Sequence, residues 1–258
     1  MNHRPRKRFG QNFLHDPIVI RKIVDAINPQ PGEHLVEIGP GQAALTIPLL
    51  QAVGSMDAIE IDRDLAPLVE EQCAPYGRLT VYNADALKFD FRTLKTDERP
   101  LRVVGNLPYN ISTPILFHLL DSREVIADMY FMLQKEVVER MAAAPGSKAY
   151  GRLSVMLQAW CEVTRLFDIG PGAFNPPPKV DSSIVRLVPR SDTEVDIADP
   201  KHFADVVRLS FAQRRKTLRN NLKGVVDAEQ IAALGIDPGC RAETLDIADF
   251  KRLAEVRS

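Results

Sequence analysis

The sequence has little of what marks exported, membrane-spanning or metal-binding proteins. Its three cysteines, Cys73, Cys161 and Cys240, lie far apart without metal-ligand spacing, and such an odd, scattered set favours reduced thiols in the cytosol. A transmembrane helix needs about 18–20 consecutive apolar residues. The longest candidate, residues 43–50, is interrupted by a threonine and a proline, and the basic N-terminus lacks the apolar core of a signal peptide. We therefore expect a cytoplasmic protein with no membrane segment and no metal.

The overall composition is that of an ordinary globular protein. The 258 residues are 45% hydrophobic and 26% charged, which excludes a disordered or fibrous chain. At roughly 100–200 residues per domain, this length allows one large domain or a large domain with a small one.

The net charge of -1 conceals two concentrated basic segments. Neither segment contains an acidic residue, so the rest of the chain is acidic. The segments hold Arg4, Arg6, Lys7 and Arg8 within residues 1–15, and Arg208, Arg214, Arg215, Lys216, Arg219 and Lys223 within residues 208–223. Together they favour a polyanionic partner such as a nucleic acid. The alternative for each segment is a solvated helix face or a frayed tail.

Between residues 34 and 133, short apolar runs alternate with helical patterns, which predicts a doubly wound α/β fold with a parallel sheet covered on both faces. The predicted strands are residues 34–38, 56–61, 79–82, 101–104 and 127–133, and the predicted helices between them are residues 43–51, 65–73 and 113–120. A helix is also predicted from Asp16-Pro17 onwards, with Asp16 as its N-cap.

After residue 133 the alternation of strands and helices gives way to mainly helical patterns. Predicted helices at residues 135–141 and 152–160 precede a late strand at 183–188 and a polar linker at 189–200. Beyond the linker only helical patterns occur, at residues 202–211, 214–222, 228–234 and 247–256. The sequence therefore predicts a Rossmann-like domain of residues 1–190 and a small, all-helical C-terminal domain of residues 191–258.

A Gly-x-Gly turn follows the first predicted strand. Gly39 and Gly41 would let backbone approach a ligand closely, beside the N–H groups that open a helix. Glu60, about 20 residues on at the end of the second strand, is placed to accept the ribose hydroxyls of an adenosine cofactor. The spacing fits a dinucleotide-binding site nearly as well as a methyltransferase site, and a purely structural turn is the third alternative.

Asp85 follows the third predicted strand, on the edge of the sheet where open α/β folds bind ligands. Its carboxylate could accept a hydrogen bond from an adenine amine. By itself the pattern is equally typical of a helix cap.

The fourth predicted strand ends in Gly-Asn-Leu-Pro-Tyr-Asn at residues 105–110. Adenine N6 is a poor nucleophile because its lone pair is delocalised, and two acceptors could hold the amine so that the lone pair turns towards a methyl donor. The side-chain oxygen of Asn106 and the backbone carbonyl of Leu107 or Pro108 are candidates, with Tyr109 as a stacking face for an extruded base. The alternative is a strand-end turn with a buried tyrosine.

Several motifs occur in an order that closely resembles the KsgA (RsmA) family of ribosomal RNA adenine dimethyltransferases. They are Gly-Gln-Asn-Phe-Leu at 10–14, Glu-Ile-Gly-Pro-Gly at 37–41, Asn-Leu-Pro-Tyr at 106–109, Leu-Gln-Lys-Glu-Val at 133–137, Phe-Asn-Pro-Pro-Pro-Lys-Val-Asp-Ser at 174–182 and Gln-Arg-Arg-Lys-Thr at 213–217. The resemblance extends over roughly residues 6–257 and departs at no motif position.

The resemblance implies an S-adenosyl-L-methionine-dependent enzyme that converts two adjacent adenosines near the 3′ end of 16S rRNA to N6,N6-dimethyladenosine during small-subunit biogenesis. Its partner would be a partly assembled 30S subunit. Phe174 would face Tyr109 across the flipped adenine. The implied cofactor site consists of Asn12, Leu14, Gly39, Gly41, Glu60, Asp85 and Asn106.

Docking to rRNA is predicted to depend on Arg214, Arg215, Lys216 and Arg219, with Arg6, Lys7 and Arg8 of the N-terminal arm as secondary contacts, in a protein that we expect to be monomeric. Two alternatives stay open. One is a macrolide-resistance type of enzyme that methylates large-subunit rRNA, against which the triple proline at 176–178 argues. The other is an assembly factor whose main role is to bind the subunit. A nicotinamide-dependent oxidoreductase would not pair the glycine turn with Asn-Leu-Pro-Tyr.

Overall fold

The computed structural model describes residues 12–256, which form a mixed α/β structure. The chain divides into two compact units. The first contains the chain up to Val138 together with Thr164–Pro189, and the second contains Glu139–Val163 together with the chain from Arg190 onwards. Residues 139–163 thus cluster with the C-terminal segment. The division into functional domains at residue 190 stays a prediction.

Strands of the described chain form two sheets, a two-stranded one of order β1-β8 and a seven-stranded one of order β4-β3-β2-β5-β6-β9-β7. Their bounds are β1 (Phe13–Leu14), β2 (His34–Ile38), β3 (Ser55–Glu60), β4 (Arg78–Asn83), β5 (Leu101–Asn106), β6 (Ile126–Gln134), β7 (Cys161–Ile169), β8 (Phe174–Asn175) and β9 (Ser182–Pro189). The neighbours from β4 to β6 are parallel, which places the carboxyl ends of β2, β3 and β5 side by side.

Helices connect the strands of the first unit and make up most of the second. Asp16 caps α1 as predicted, because its carboxylate accepts hydrogen bonds from the backbone N–H groups of Ile18 and Val19. The helices are α1 (Pro17–Ile27), α2 (Thr46–Val53), α3 (Ala66–Cys73), α4 (Ser112–Leu120), α5 (Lys135–Met141), α6 (Arg152–Trp160), α7 (Asp192–Val195), α8 (Pro200–Ser210), α9 (Leu218–Asn221), α10 (Ala228–Ala233) and α11 (Ile247–Glu255).

The predicted Rossmann-like sheet is confirmed, and its strands between residues 34 and 134 are parallel as expected. β9 pairs with β6 in antiparallel register, with Phe131 opposite Val185. Strand β7 was not predicted at all. It is an edge strand with exposed Glu162, Arg165 and Asp168, so it lacks the apolar run that marks a buried strand.

The turn that contains Gly39 and Gly41 is longer than predicted. The helix expected at residues 43–51 begins at Thr46, because Gly41 and Ala43 have φ angles of 56° and 62°. An α-helix needs negative φ, so the chain cannot become helical before it has left this left-handed region. Residues of this turn line the cavity at the ends of β2 and β3.

The helix predicted at residues 214–222 is also wrong. Only Leu218–Asn221 is helical, and α7 lies within the predicted linker. The backbone N–H groups of Leu218 and Arg219 donate to the carbonyls of Cys240 and Pro238, at 2.8 and 3.1 Å. The helix therefore begins at Leu218, because these first-turn N–H groups are satisfied by a neighbouring loop.

Candidate active site

A cavity opens at the carboxyl ends of β2, β3 and β5, where ligands bind in open α/β sheets. It is lined by turns that follow these strands and by the chain around β1. The predicted site residues on its wall are Asn12, Leu14, Gly39, Gly41, Glu60, Asp85, Asn106, Leu107, Pro108 and Tyr109. Residues scattered over almost one hundred positions of sequence are thus brought to one place.

The glycine turn brings bare backbone to the cavity wall. Gly39 has φ 70°, its N–H donates to the carbonyl of Ile59 at 2.9 Å, and a Cβ there would meet no described atom within 4 Å. At Gly41, a Cβ would approach the Phe13 ring to 3.1 Å. Both positions therefore favour glycine, Gly39 because of its left-handed backbone and Gly41 also because of close packing.

Glu60 lies at the end of β3, is 3% exposed and faces the same cavity. Its carboxylate accepts hydrogen bonds from the backbone N–H groups of Asp62 at 2.9 Å and Gly41 at 3.4 Å. Burial raises the pKa of Glu60, although these hydrogen bonds oppose the shift. The side chain links the glycine turn to β3 at the cavity wall, and its role towards a ligand stays a prediction.

Glu37 is a site residue to which the sequence reasoning gave no role. It lies in β2, is 2% exposed and lines the cavity. Burial raises the pKa of its carboxyl to about 7, the Thr46 hydroxyl lowers it and nearby Glu60 adds to the rise. Within residues 12–256, Oε2 of Glu37 has no hydrogen-bond partner. The signal was an acidic residue inside the apolar run of a buried strand.

Asp85 caps a turn and not a helix, because residues 86–88 form a turn. Its Oδ1 accepts a hydrogen bond from the backbone N–H of Leu87 at 3.0 Å, as a turn-capping aspartate does. The residue nevertheless lies on the cavity wall. The capping bond does not exclude a contact to a ligand amine, which stays a prediction.

The end of β5 presents hydrogen-bond acceptors in a fixed orientation. Nδ2 of Asn106 donates to the backbone carbonyl of Asn12 at 3.0 Å, so the amide oxygen is the end that stays available as an acceptor. The carbonyl of Pro108 already accepts the N–H of Ile111 at 3.1 Å. This favours the Leu107 carbonyl over that of Pro108 as the second acceptor for an amine.

Tyr109 is half-buried on the cavity wall, and its hydroxyl lies 2.8 Å from Oγ of Ser182. Burial raises the pKa of Tyr109, so its hydroxyl stays protonated near neutral pH. Phe174 is 3% exposed, belongs to the apolar core and pairs through β8 with Leu14. It is not among the residues that line the cavity. Its stacking role opposite Tyr109 stays a prediction.

The four predicted docking residues of the second unit are exposed, but they differ in their partners. Arg214 forms an ion pair with Glu243 at 3.2 Å and donates to the carbonyl of Lys148 at 3.0 Å. Arg215, Lys216 and Arg219 are exposed on the turn before α9 and on α9 itself. The predicted contacts Arg6, Lys7 and Arg8 lie outside the described residues.

Two kinds of feature are absent from the described chain, residues 12–256. It contains no group of three or more His, Cys, Asp or Glu side chains that could hold a metal ion. Among its helices, none has the length and apolar character needed to cross a membrane.

The sheet order and the cavity define a Rossmann-like methyltransferase. The sequence matches the ribosomal RNA adenine dimethylase family over residues 2–257, and the chain belongs to this family. It is therefore an rRNA adenine methyltransferase.

Similar proteins extend over nearly the whole chain. A ribosomal RNA small subunit methyltransferase A of Xanthomonas campestris pv. campestris (strain B100) is 59% identical over 97% of this chain and 95% of its own length. A dimethyladenosine transferase from Plasmodium falciparum has a TM-score of 0.81 and 29% identity, covering 93% of this chain and 95% of that one. The 23S rRNA methyltransferase ErmE has a TM-score of 0.75 and 25% identity, covering 95% and 98%.

Proposed function

We propose that this enzyme transfers methyl groups from S-adenosyl-L-methionine to N6 of two adjacent adenosines near the 3′ end of 16S rRNA, within the 30S subunit in the cytoplasm. The observation that carries the proposal is one cavity that holds the glycine turn, Glu60, the oriented Asn106 amide and the Tyr109 ring. An adenosine cofactor and an adenine substrate can meet there, at neighbouring strand ends.

The residues present fit S-adenosyl-L-methionine. The glycine turn offers backbone without side chains, Glu60 offers an acceptor for ribose hydroxyls, and Asp85 an acceptor for the adenine amine. The buried Oε2 of Glu37, which has no hydrogen-bond partner within residues 12–256, suits the positively charged part of this cofactor, since a buried carboxylate is stabilised by a nearby cation. Asn12 and Leu14 would complete the wall.

The catalytic residues act by positioning. The cofactor supplies a sulfonium methyl group, which is strongly electrophilic without help from a general base. The Asn106 oxygen and the Leu107 carbonyl accept the two N6 protons and hold the amine so that its lone pair points at the methyl group. Tyr109 stacks on the flipped base. The N6 proton becomes acidic only after transfer and leaves to water.

Small-subunit rRNA is favoured over large-subunit rRNA by the degree of similarity. The relative named as a small-subunit methyltransferase is 59% identical, whereas the 23S rRNA methyltransferase ErmE is 25% identical. An assembly factor that only binds the subunit would not need the oriented Asn106 amide, although binding and methylation are compatible in one protein.

Product mapping tests this proposal. The enzyme is incubated with methyl-labelled S-adenosyl-L-methionine and either undermethylated 30S subunits or 50S subunits, and the rRNA is digested to nucleosides. We expect N6,N6-dimethyladenosine in 16S rRNA, located by primer extension at two adjacent adenosines. Label that appears only in 23S rRNA, or in a base other than adenine, would contradict the proposal.

We further propose that the exposed basic residues Arg215, Lys216 and Arg219 bind rRNA phosphates. The structure separates them from Arg214, whose guanidinium has an ion-pair partner in Glu243. Each phosphate neutralised adds about 0.7–0.9 to the salt slope of log affinity, so replacing the three by Gln is expected to lower that slope by about 2.

Arg214→Gln is the matched control, with a smaller expected effect on subunit affinity. Filter binding to 30S subunits at several salt concentrations measures the slope, and cofactor affinity is expected to be unchanged. An unchanged slope in the triple variant would move the docking role to Arg6, Lys7 and Arg8.

A further inference from the structure

The hydroxyl of Tyr109 is bonded to a serine that lies 73 residues further along the chain. Oγ of Ser182 lies 2.8 Å from the tyrosine hydroxyl, and Ser182 is 1% exposed. The bond connects the Asn-Leu-Pro-Tyr motif, at the end of β5, with the first residue of β9. The chemistry described above uses the ring of Tyr109 but has no role for its hydroxyl.

Ser182 is itself firmly held. It pairs with Gln134 in the β6–β9 ladder, and the carbonyl of the preceding Asp181 accepts the N–H of Lys135 at 3.0 Å. At the other end of the bond, the carbonyl of Tyr109 accepts the hydroxyl of Ser112 at 3.1 Å. The Tyr109 backbone is thus fixed by one contact and the tip of its ring by another, which restricts rotation of the side chain.

A purely stacking residue at this position could be phenylalanine. A tyrosine hydroxyl in a buried place costs free energy unless it has a hydrogen-bond partner. Ser182 supplies that partner. The bond therefore indicates that the position of the Tyr109 side chain matters, in addition to the space that its ring fills. Stacking on a base depends on where the ring lies, and this bond fixes the tip of the ring and the direction of its long axis.

We propose that Ser182 is a positioning residue that holds the ring of Tyr109 in place, by its hydroxyl, for stacking on the target adenine. This inference rests on the proposed function of the cavity. Ser182 acts through Tyr109 and touches neither cofactor nor adenine. The loss of its hydroxyl should therefore slow methyl transfer without changing cofactor affinity.

The kinetic test compares Ser182→Ala, Tyr109→Phe and the double variant, using undermethylated 30S subunits and methyl-labelled S-adenosyl-L-methionine. Each variant is expected to lower kcat by about three- to tenfold, because one buried hydrogen bond is lost. The double variant should match the single ones, since all three remove the same bond. KM for the cofactor should not change.

Ser183→Ala is the matched control. Ser183 is equally buried, but its hydroxyl donates to the carbonyl of Phe167 at 3.1 Å, away from Tyr109. A merely structural role predicts similar losses of kcat in both serine variants. Unchanged kcat in Ser182→Ala with an active wild type, or additive losses in the double variant, would overturn the inference.

A spectroscopic measurement keeps this inference separate from the proposed function. The protein has five tyrosines, and 3-fluorotyrosine labelling gives each a 19F signal, with that of Tyr109 identified by its loss in Tyr109→Phe. The Tyr109 signal is expected to shift in Ser182→Ala and to stay in place in Ser183→Ala. A shift without any adenine methylation by the wild type would overturn the proposed function alone, and an unmoved signal would overturn the role of Ser182.

Discussion

Two groups of polar side chains, at opposite ends of the seven-stranded sheet, differ in how far their members bond to one another. At the amino ends of β5 and β6, Arg102 donates to Asp128 at 2.8 and 3.1 Å, to Glu33 at 2.6 Å and to the carbonyl of Ile27 at 2.8 Å. At the carboxyl ends, Glu37 and the Asn106 amide keep hydrogen-bonding atoms directed at a cavity. Polar groups that hydrogen-bond to one another stabilise a fold. Polar groups with an unused hydrogen-bonding atom are available to bind a ligand.

Replacing Arg102 should produce the largest loss of stability. Its side chain is 11% exposed and that of Asp128 is 9% exposed, so Arg102→Met leaves a buried carboxylate without its partner. We expect the free energy of unfolding to fall by about 3–5 kcal/mol. Urea unfolding measures the loss, and methyl transfer by the folded fraction at low temperature should be nearly normal.

Arg186→Met is the control for Arg102→Met. Arg186 is 41% exposed and lies 3.7 Å from Asp128, so its ion pair should contribute less than about 1 kcal/mol. If both variants lost the same stability, the Arg102 network would not be the stabilising feature of this end.

Asn106→Ala should have the opposite effect to Arg102→Met, with a loss of methyl transfer and little loss of stability. The variant loses an acceptor for the target amine, and removal of one oriented polar group in an active site typically lowers kcat by about 10²–10³-fold. We expect 30S binding to survive, because phosphate contacts are unchanged. Methyl incorporation measures the effect, with exposed Asn110→Ala in the same turn as the control. Near-normal incorporation by Asn106→Ala would remove this residue from the catalytic set.

Glu37→Gln should stabilise the protein, because the Glu37 carboxyl at the cavity end of the sheet lowers stability when it ionises. The pKa of Glu37 is raised from 4.5 to about 7, so the folded state holds a proton that the unfolded state releases. Stability therefore falls as pH rises between these values, by up to about 3 kcal/mol.

The amide in Glu37→Gln carries no charge, so the variant should melt higher than wild type at pH 8 and similarly at pH 4.5. Thermal unfolding at both pH values tests this, with exposed Glu71→Gln as the control. An equal change at both pH values would contradict the role of ionisation.

Glu60→Ala should give the smallest of these effects, confined to cofactor binding. Loss of hydrogen bonds to a charged acceptor costs about 1.5–3 kcal/mol, or roughly ten- to a hundredfold in affinity. Calorimetry with S-adenosyl-L-methionine measures it, and Glu60→Gln, which keeps one acceptor oxygen, should lose less. Unchanged affinity in folded Glu60→Ala would remove the residue from the site.

The sequence was sufficient where local patterns determine structure. The glycine turn, Glu60 at the end of β3 and Asn106 at the end of β5 were all predicted, because parallel strands bring their carboxyl ends to one edge. The helix predicted at 214–222 failed because the carbonyls of Pro238 and Cys240, some twenty residues away, decide where α9 begins. The helix propensity of a segment carries no information on hydrogen-bond partners that lie elsewhere in the chain.

The contacts that refine the site are also long-range. No local pattern connects Tyr109 with Ser182, or Asn106 with the carbonyl of Asn12, since these bonds join segments 73 and 94 residues apart. Glu37 stands inside a motif that the sequence analysis used only for its glycines. Its raised pKa comes from burial and from Glu60, and both follow only from the packed fold.

Photolabelling tests most directly whether the carboxyl end of the sheet is the catalytic end. Ultraviolet irradiation of the enzyme with labelled S-adenosyl-L-methionine, followed by tandem mass spectrometry, identifies the residues that take up label. We predict label at residues 37–42, 44–45, 59–61, 84–86, 106–109 or 111, which line the cavity, and less label in Glu60→Ala. Label at residues 26–34 or 99–102, which line a groove at the amino end, would contradict the account.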